Sequence, residues 1–326
     1  MFKVVITDNP PPTLDQDRAI FAPLGAEVFS AKCKTPEEVI AFAADADCII
    51  AGFAPINATV IAALKKARVI VRLGIGYDSV DVAAAAKAGI PVCNVPEYCL
   101  HEVADHTLAL ILATTRAIVP HCIDVRAGGW KLAVPLETLR ALRDTTIGVV
   151  GFGRIGREVV ARLKPFKGRI LVFDPVVGPE VIRAEGCEPA SLDALLAASD
   201  LVTLHCPVLP STRDLINRET LAKMKRGAVL VNASRGALVN SDDLIAALRS
   251  GHLGGAALDV FTPEPMPKDS PLFTMPNVIL TPHAAATSAR SEQNLRNLAA
   301  QAAACALLGE KLPNVVNGVA GPRIVS

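Results

Sequence analysis

The chain has 326 residues and a formal net charge of +1, and at about 150 residues per domain such a length suggests two domains. Hydrophobic residues make up 51% of it, enough for two cores and for strands buried on both faces. The charge balance, with no long run of one sign, argues against a nucleic-acid or polyanion partner. No apolar stretch reaches about 18 residues without a charge, which argues against a membrane span.

From Met1 to about Val95, short apolar runs alternate with helical patterns. Strands are expected at 3–7, 26–29, 48–51, 69–73 and 92–95, and helices at 36–44, 58–66 and 82–88. A Pro-rich turn at 10–12 follows the first strand, and the N-terminus shows no secretory h-region or cleavage site. The eight cysteines are scattered without a C-x-x-C pair, a usage that fits free thiols, several of them buried, in a reducing compartment, so a cytoplasmic location is expected. No group of His, Cys and acidic residues has metal-ligand spacing, and no metal is expected. Gly74-Ile75-Gly76 also ends a strand, but Ser79 holds the position of a third glycine, which argues against a second dinucleotide site.

Residues 104–119 read as one long buried helix, with Glu97 and Glu102 near its start. A looser segment runs through Gly128-Gly129-Trp130 to Asp144. The βα alternation then resumes, with strands expected at 146–150, 169–173, 201–205, 228–232, 255–259 and 277–281, and helices near 155–164, 191–198, 217–225 and 241–250. Ser191 is suited to cap one of these helices, and Asn240 or Ser241 another. A last amphipathic helix, 288–308, ends before Gly309 and is expected to return with the tail to the first domain. The expectation is an α/β protein of two doubly wound parallel-sheet domains. A Rossmann dinucleotide-binding domain, residues 96–287, would be inserted into a flavodoxin-like substrate domain made of residues 1–95 and 288–326.

Gly151-Phe152-Gly153-Arg154-Ile155-Gly156 follows the strand 146–150 and opens a helix. In G-x-G-x-x-G one glycine makes the tight turn, one lets backbone approach a pyrophosphate, and one lets helix pack on strand. Amides at the helix start then hold the phosphates. Asp174 stands at the end of the next strand, where an acid accepts hydrogen bonds from the adenosine ribose, and no Arg follows it directly to receive a 2′-phosphate. The cofactor read from this pattern is NAD.

Hydride transfer belongs to the nicotinamide, so the protein must hold the substrate and move one proton. Arg235, in Asn232-Ala233-Ser234-Arg235-Gly236, suits a carboxylate because its planar fork binds two oxygens and stays charged. His283, in Thr281-Pro282-His283, suits the proton. A carboxylate against the imidazole would fix the ring and stabilise its charged form. Glu264, between two prolines, is the first choice for that partner, and Asp259 competes with it. His205, beside Cys206-Pro207, is expected to line the cofactor pocket. His101 and His106 fall in the long helix as packing residues, and His121 and His252 read as surface positions near helix ends.

Taken in order, Val71-Arg72-Leu73-Gly74-Ile75-Gly76-Tyr77-Asp78, the glycine hexapeptide, Leu204-His205-Cys206-Pro207, Asn232 to Gly236, Ala257-Leu258-Asp259-Val260-Phe261 and Thr281-Pro282-His283 resemble the D-2-hydroxyacid dehydrogenase family. The resemblance covers almost the whole chain. It implies Arg235 as clamp for the substrate carboxylate and carbonyl, His283 as acid/base and Glu264 as its partner. It sets Asp259 against the nicotinamide carboxamide, which decides between the two acids. It further implies that Gly151, Gly153, Arg154, Ile155, Gly156, Asp174, His205, Pro207, Thr212, Ala233 and Ala285 contact the cofactor, together with Arg235 and His283. Phe53, Arg72, Leu73 and Gly74 would meet the substrate. Members are typically homodimers joined through the long helix and the segment around Trp130. Arg72, Cys93-Asn94-Val95-Pro96 and His283-Ala284-Ala285 look most similar to the C-terminal binding protein branch, whose Trp is replaced here by Ala286.

The function implied is an NAD-dependent oxidoreductase interconverting a D-2-hydroxy acid and its 2-keto acid. The alternative from another class is an NAD(H)-gated dimeric binding protein, corepressor-like, with weak turnover. An intact Arg, Glu and His set favours the enzyme, since a scaffold has no need of a proton donor at the nicotinamide.

Overall fold

A computed structural model describes residues 1–8 and 13–324. The turn expected at 10–12 and the last two residues of the tail lie outside the described residues. The chain divides into two compact units, residues 1–99 with 288–326, and residues 100–287.

The first unit begins with β1 (Phe2–Ile6), α1 (Asp15–Phe21), β2 (Ala26–Ser30), α2 (Pro36–Ala43) and β3 (Cys48–Ala51). It continues through α3 (Ala58–Ala63), β4 (Val69–Arg72), α4 (Val82–Lys87) and β5 (Val92–Cys93). The five strands are all parallel, in the order β2-β1-β3-β4-β5, which is the flavodoxin-like arrangement. Successive residues point to opposite faces. Val4, Ile6, Cys48, Ile50, Val69 and Val71 form one core, while Val5, Ile49, Ala51 and Ile70 belong to the core on the other side. Helix starts follow capping chemistry. Thr35 and Glu38 make a reciprocal capping box with Pro36 in the first turn, and Asn57 and Asp81 each accept an N–H two or three residues inside their helices.

The second unit starts with α5 (Leu100–Thr115) and α6 (Ile118–Arg126). The single long helix expected at 104–119 is therefore two helices, bent by 62°. Pro120 has no N–H to give the Arg116 carbonyl, and its ring would collide there in a continuous helix. Ala117 takes up the break with φ +49°. Nor is the pair buried throughout: α5 buries one face, whereas α6 buries no residue. Among the described residues no single helix is long and apolar enough to cross a membrane.

Seven strands and six helices follow in the order β6 (Thr146–Val150), α7 (Arg154–Leu163), β7 (Arg169–Phe173), α8 (Pro179–Ala184), β8 (Glu188–Pro189), α9 (Leu192–Ala198), β9 (Leu201–Leu204), α10 (Arg218–Lys223), β10 (Ala228–Asn232), α11 (Ser241–Arg249), β11 (Leu253–Leu258), β12 (Val278–Leu280) and, back in the first unit, α12 (Ala289–Leu308). The sheet order β12-β11-β10-β9-β6-β7-β8 reverses direction between β6 and β9, so loops at the carboxyl ends of these strands flank a crevice. Helices α5 and α7 cover one face with a core that includes Val149, Val159 and Val231. Helices α9 to α11 cover the other, with Val150, Leu204 and Leu230. The capping serine and asparagine are Ser191 and, of the two candidates, Asn240. In the first unit, α12 packs on α1, β3 and β4.

Candidate active site

The glycine hexapeptide divides into three roles by geometry. Gly151 adopts φ +98° and its Cβ would come 2.6 Å from the His205 carbonyl carbon, so the β6 turn closes tightly on the loop after β9. A Cβ on Gly156 would overlap the Gly151 carbonyl oxygen, which is the helix-on-strand contact. A Cβ on Gly153 would meet nothing within 4 Å. Gly153 caps α7 with extended backbone and no side-chain hydrogen bond, so no side chain of its own covers the first amides of the helix. These donors and the positive end of the helix dipole suit a pyrophosphate.

Asp174 is tied back to this loop. Its Oδ2 accepts the Phe152 N–H at 2.7 Å, and Oδ1 accepts the Val176 and Val177 N–H groups at 2.8 and 3.0 Å. Burial raises its pKa, but these amides and then the Arg157 charge outweigh that effect and hold the carboxyl below the ordinary value. A carboxylate that accepts from the loop still has lone pairs for ribose hydroxyls. It also repels a 2′-phosphate. Asp174 lines a cavity of about 310 Å³ with Val177, Pro179, Arg183 and Ser191. The donor set suits the pyrophosphate, and this space suits the adenosine end of NAD.

Across the crevice, His205 is half-buried after β9. Its Nε2 lies 2.9 Å from Thr203 Oγ1, and its Nδ1 is buried without a partner. Burial holds this ring down at about 4, so it is neutral. Thr212 Oγ1 donates to the Pro207 carbonyl at 2.6 Å and accepts the Leu209 N–H at 2.7 Å, so its hydroxyl shapes the turn carrying Pro207. Ala233 is buried at the end of β10. The backbone amide of Ala285, itself buried, donates to Asp259 Oδ2 at 2.9 Å.

Arg235, Glu264 and His283 come from three separate loops. Asn232 Nδ2 donates to the Arg235 carbonyl at 2.8 Å, and Asn232 Oδ1 accepts the Ser234 N–H at 3.0 Å. The guanidinium Nη1 donates to the Ser234 carbonyl at 2.7 Å. A Cβ on Gly236 would fall inside the Phe261 backbone, so the loop after β10 and the loop after β11 touch through their main chains. Glu264 stands between two cis peptide bonds, Thr262–Pro263 and Glu264–Pro265. Its Oε1 accepts the Phe261 N–H at 2.7 Å, and Oε2 lies 2.7 Å from His283 Nδ1. Burial pushes the Glu264 pKa up, yet the His283 and Phe261 hydrogen bonds, with the His283 and Arg235 charges, bring it below the ordinary value. The three chosen residues therefore gather around one ionised carboxylate, and of the two acids Glu264 rather than Asp259 faces the imidazole.

Asp259 is fully buried. It accepts from Thr281 Oγ1 at 2.5 Å and from the Ala284 N–H at 2.9 Å, both at Oδ1. His106 Nε2 approaches that hydroxyl to 3.1 Å, so His106 is hydrogen-bonded rather than a packing residue. His101 also leaves the core, facing Arg162 and Glu158 at the surface. His252 is not a surface position: it is half-buried, with Nε2 2.8 Å from the Leu221 carbonyl. His121 is half-buried too, with Nδ1 accepting the Ala133 N–H at 3.2 Å. All eight cysteines are free, but Cys122 is exposed rather than buried.

In the first unit, Phe53 is 66% exposed and Arg72 is buried with its guanidinium 5.4 Å from the Phe53 ring centre. The Arg72 side chain covers Gly74, whose φ is +138°, and Leu73 is buried. Asp8 passed unnoticed in the sequence. Its carboxylate accepts the N–H groups of Gly52, Phe53 and Ala54 at 2.8, 2.5 and 3.0 Å, fixing the Phe53 loop. A lone acid after a strand gives no signal for this in the sequence. No group of three or more His, Cys, Asp or Glu residues among the described ones is arranged to hold a metal ion.

Comparison with known proteins shows the family. The family description "D-isomer specific 2-hydroxyacid dehydrogenase, NAD binding domain" matches residues 108–285. The chain is 40% identical to D-3-phosphoglycerate dehydrogenase of Mycobacterium leprae over 86% of its length and 53% of that protein. It is 40% identical to glyoxylate reductase of Korarchaeum cryptofilum over 81% of its length and 80% of that protein. The chain thus spans about half the length of the first curated relatives it matches. Its fold superposes on the crystal structure of D-lactate dehydrogenase from Aquifex aeolicus in complex with NAD and lactic acid, with a TM-score of 0.84, 27% identity, and coverage of 94% of this chain and 96% of that one. The chain belongs to the D-isomer specific 2-hydroxyacid dehydrogenase family.

Proposed function

We propose that the chain is an NAD-dependent oxidoreductase that interconverts a D-2-hydroxy acid and its 2-keto acid, with residues 96–287 as the NAD-binding domain and residues 1–95 and 288–326 as the substrate domain. The observation that carries this is the 2.7 Å contact between His283 and Glu264 beside Arg235. Bound NAD(H) supplies or accepts the hydride at the substrate's C2. Residues Gly151, Gly153 and Gly156 with the amides of Arg154 and Ile155 hold the pyrophosphate, and Asp174 holds the ribose. His205, Pro207, Thr212, Ala233 and Ala285 line the cofactor, whereas Asp259, fully buried and bonded to Thr281, Ala284 and Ala285, presents no surface to the carboxamide that the resemblance assigns to it.

Arg235 grips the substrate carboxylate and polarises the neighbouring carbonyl. The Nδ1 of His283 faces Glu264, so Nδ1 carries a proton and Nε2 is the working atom. In reduction the imidazolium gives its Nε2 proton to the oxygen on C2 and is left neutral with Nδ1–H on Glu264. Oxidation runs the same path backwards, Nε2 taking the hydroxyl proton. Phe53, Arg72, Leu73 and Gly74 meet the rest of the substrate.

Helix α6 and the segment after it leave Ile118, Ile123, Trp130, Leu132 and Leu136 exposed, Trp130 by 90%. That apolar surface supports a homodimer. The free thiols support a cytoplasmic setting. A panel of 2-keto acids tested with NADH checks the activity, and light scattering checks the dimer. Failure to oxidise NADH with any acid of the panel removes the dehydrogenase reading in favour of a binding protein.

A further inference from the structure

The reaction above leaves one arrangement without a part in it. His106 lies on α5, the helix that packs across β10, β11 and β12, and its ring meets the carboxyl ends of β11 and β12 instead of apolar core. Its Nε2 is 3.1 Å from Thr281 Oγ1 and 3.6 Å from Asp259 Oδ1.

Proton counting gives each hydrogen bond a direction. A hydroxyl has one proton, and that of Thr281 goes to Asp259 Oδ1 at 2.5 Å. Thr281 Oγ1 is then an acceptor for His106, which puts a proton on Nε2. A side chain serving only to fill space would present carbon here. His106 presents a donor to a hydroxyl whose own proton is already committed, and so fixes which way that hydroxyl points.

Asp259 in turn governs the His283 turn. Its carboxylate accepts the Ala284 and Ala285 N–H groups, each at 2.9 Å, and its carbonyl accepts the His283 N–H at 2.8 Å. His283 has φ +53°, a backbone conformation that a residue other than glycine keeps only where its surroundings over-determine it. Three consecutive amides held by one aspartate are that over-determination.

We propose that His106 is a positioning residue for the acid/base: through Thr281 and Asp259 it locks the 283–285 turn that presents the His283 imidazole. The kinetic part of this rests on His283 being the acid/base. The conformational part does not, and the two are read separately.

Three variants divide the possibilities. His106→Leu removes the donor, His106→Gln returns a neutral N–H donor near the former Nε2, and Thr281→Val breaks the relay in the middle. Amide hydrogen exchange of the full chain without cofactor reads the turn directly. Exchange at Ala284 and Ala285 is expected to quicken on the order of tenfold in His106→Leu and Thr281→Val and to stay at the wild-type rate in His106→Gln. For keto-acid reduction, kcat is expected to fall about tenfold in the first two variants with KM for the acid little changed. The His106→Leu/Thr281→Val double variant should be no worse than Thr281→Val, since both sit in one chain. Wild-type exchange in His106→Leu, equal losses in His106→Gln and His106→Leu, or additive losses in the double variant each overturn the relay. A wild-type chain that reduces no keto acid while its exchange follows the expected pattern defeats the dehydrogenase reading and leaves the relay standing.

Discussion

His283 Nδ1 and Glu264 Oε2, from loops 19 residues apart, lie 2.7 Å from each other. Glu264 is kept ionised by this contact first, then by the Phe261 N–H on its other oxygen and the charges of His283 and Arg235. In Glu264→Gln the amide oxygen keeps the Phe261 N–H, and its NH2 turns toward Nδ1. Two donors cannot face each other, so the neutral ring must carry its proton on Nε2, where a base is needed. Oxidation of the hydroxy acid should therefore lose on the order of a hundredfold in kcat, and reduction should fall too, since the imidazolium it needs sets Nδ1–H against the same NH2. Steady-state rates in both directions check this. Equal rates for variant and wild type in oxidation would show that Glu264 does not set the tautomer. His283→Ala should cost both directions about a hundredfold or more while sparing NADH affinity, measured by fluorescence titration.

Asp174, the proposed holder of the adenosine ribose, is kept ionised because the Phe152, Val176 and Val177 amides, with the Arg157 charge, outweigh its burial. Asp174→Ala removes both the ribose acceptor and the charge that repels a 2′-phosphate. The KM for NAD should rise about tenfold, with that for NADP falling or unchanged, as expected for one lost charged hydrogen bond. A wild-type preference for NADP would contradict the assignment at once.

The strands were the most legible part of the fold. Runs such as Cys48–Ala51 are buried on both faces, and such runs are near-continuously apolar. By contrast α8 and β8 escaped notice, being six and two residues long, too short for a period to register. The broken helix at Ala117 was missed although Pro120 marked it, because the apolar pattern continued past the break. Among the site residues, Arg235 and His283 were found by standing at strand ends, and Glu264 by its flanking prolines. His106 could not be found that way. What distinguishes it from a packing histidine is Thr281, 175 residues away, and no local pattern carries that information. Asp8 and the Phe53 loop are separated by 45 residues in the same manner.

His205 should make the second unit acid-sensitive. Burial lowers its pKa from 6.5 to about 4. Between those values the unfolded chain takes up a proton that the folded ring refuses, so stability falls as pH falls through that window. Across the whole window the loss is on the order of 3 kcal/mol. His205→Gln does not titrate there. Urea unfolding at pH 7 and pH 5 should show a smaller loss for His205→Gln than for the wild type, and identical losses would place the acid sensitivity elsewhere.

Gly236 sets the distance between the arginine loop and the glutamate loop. Its missing side chain lets its backbone lie against the Phe261 main chain, and Phe261 gives its N–H to Glu264. A methyl group here meets the Phe261 backbone rather than a flexible side chain, so the loops must part. Overpacking of this kind costs about 1–3 kcal/mol. The larger effect of Gly236→Ala should be on chemistry, since a shift of about 1 Å between Arg235 and the His283–Glu264 pair costs on the order of a hundredfold in kcat/KM for the keto acid. NADH affinity should change little, because the pyrophosphate and ribose contacts are proposed for Gly153, Arg154 and Asp174, which the substitution leaves alone. Fluorescence titration alongside steady-state kinetics separates the two effects. An alanine variant with wild-type kcat/KM would mean that the spacing of these loops does not govern the reaction, and Arg235 would lose its place beside the imidazole.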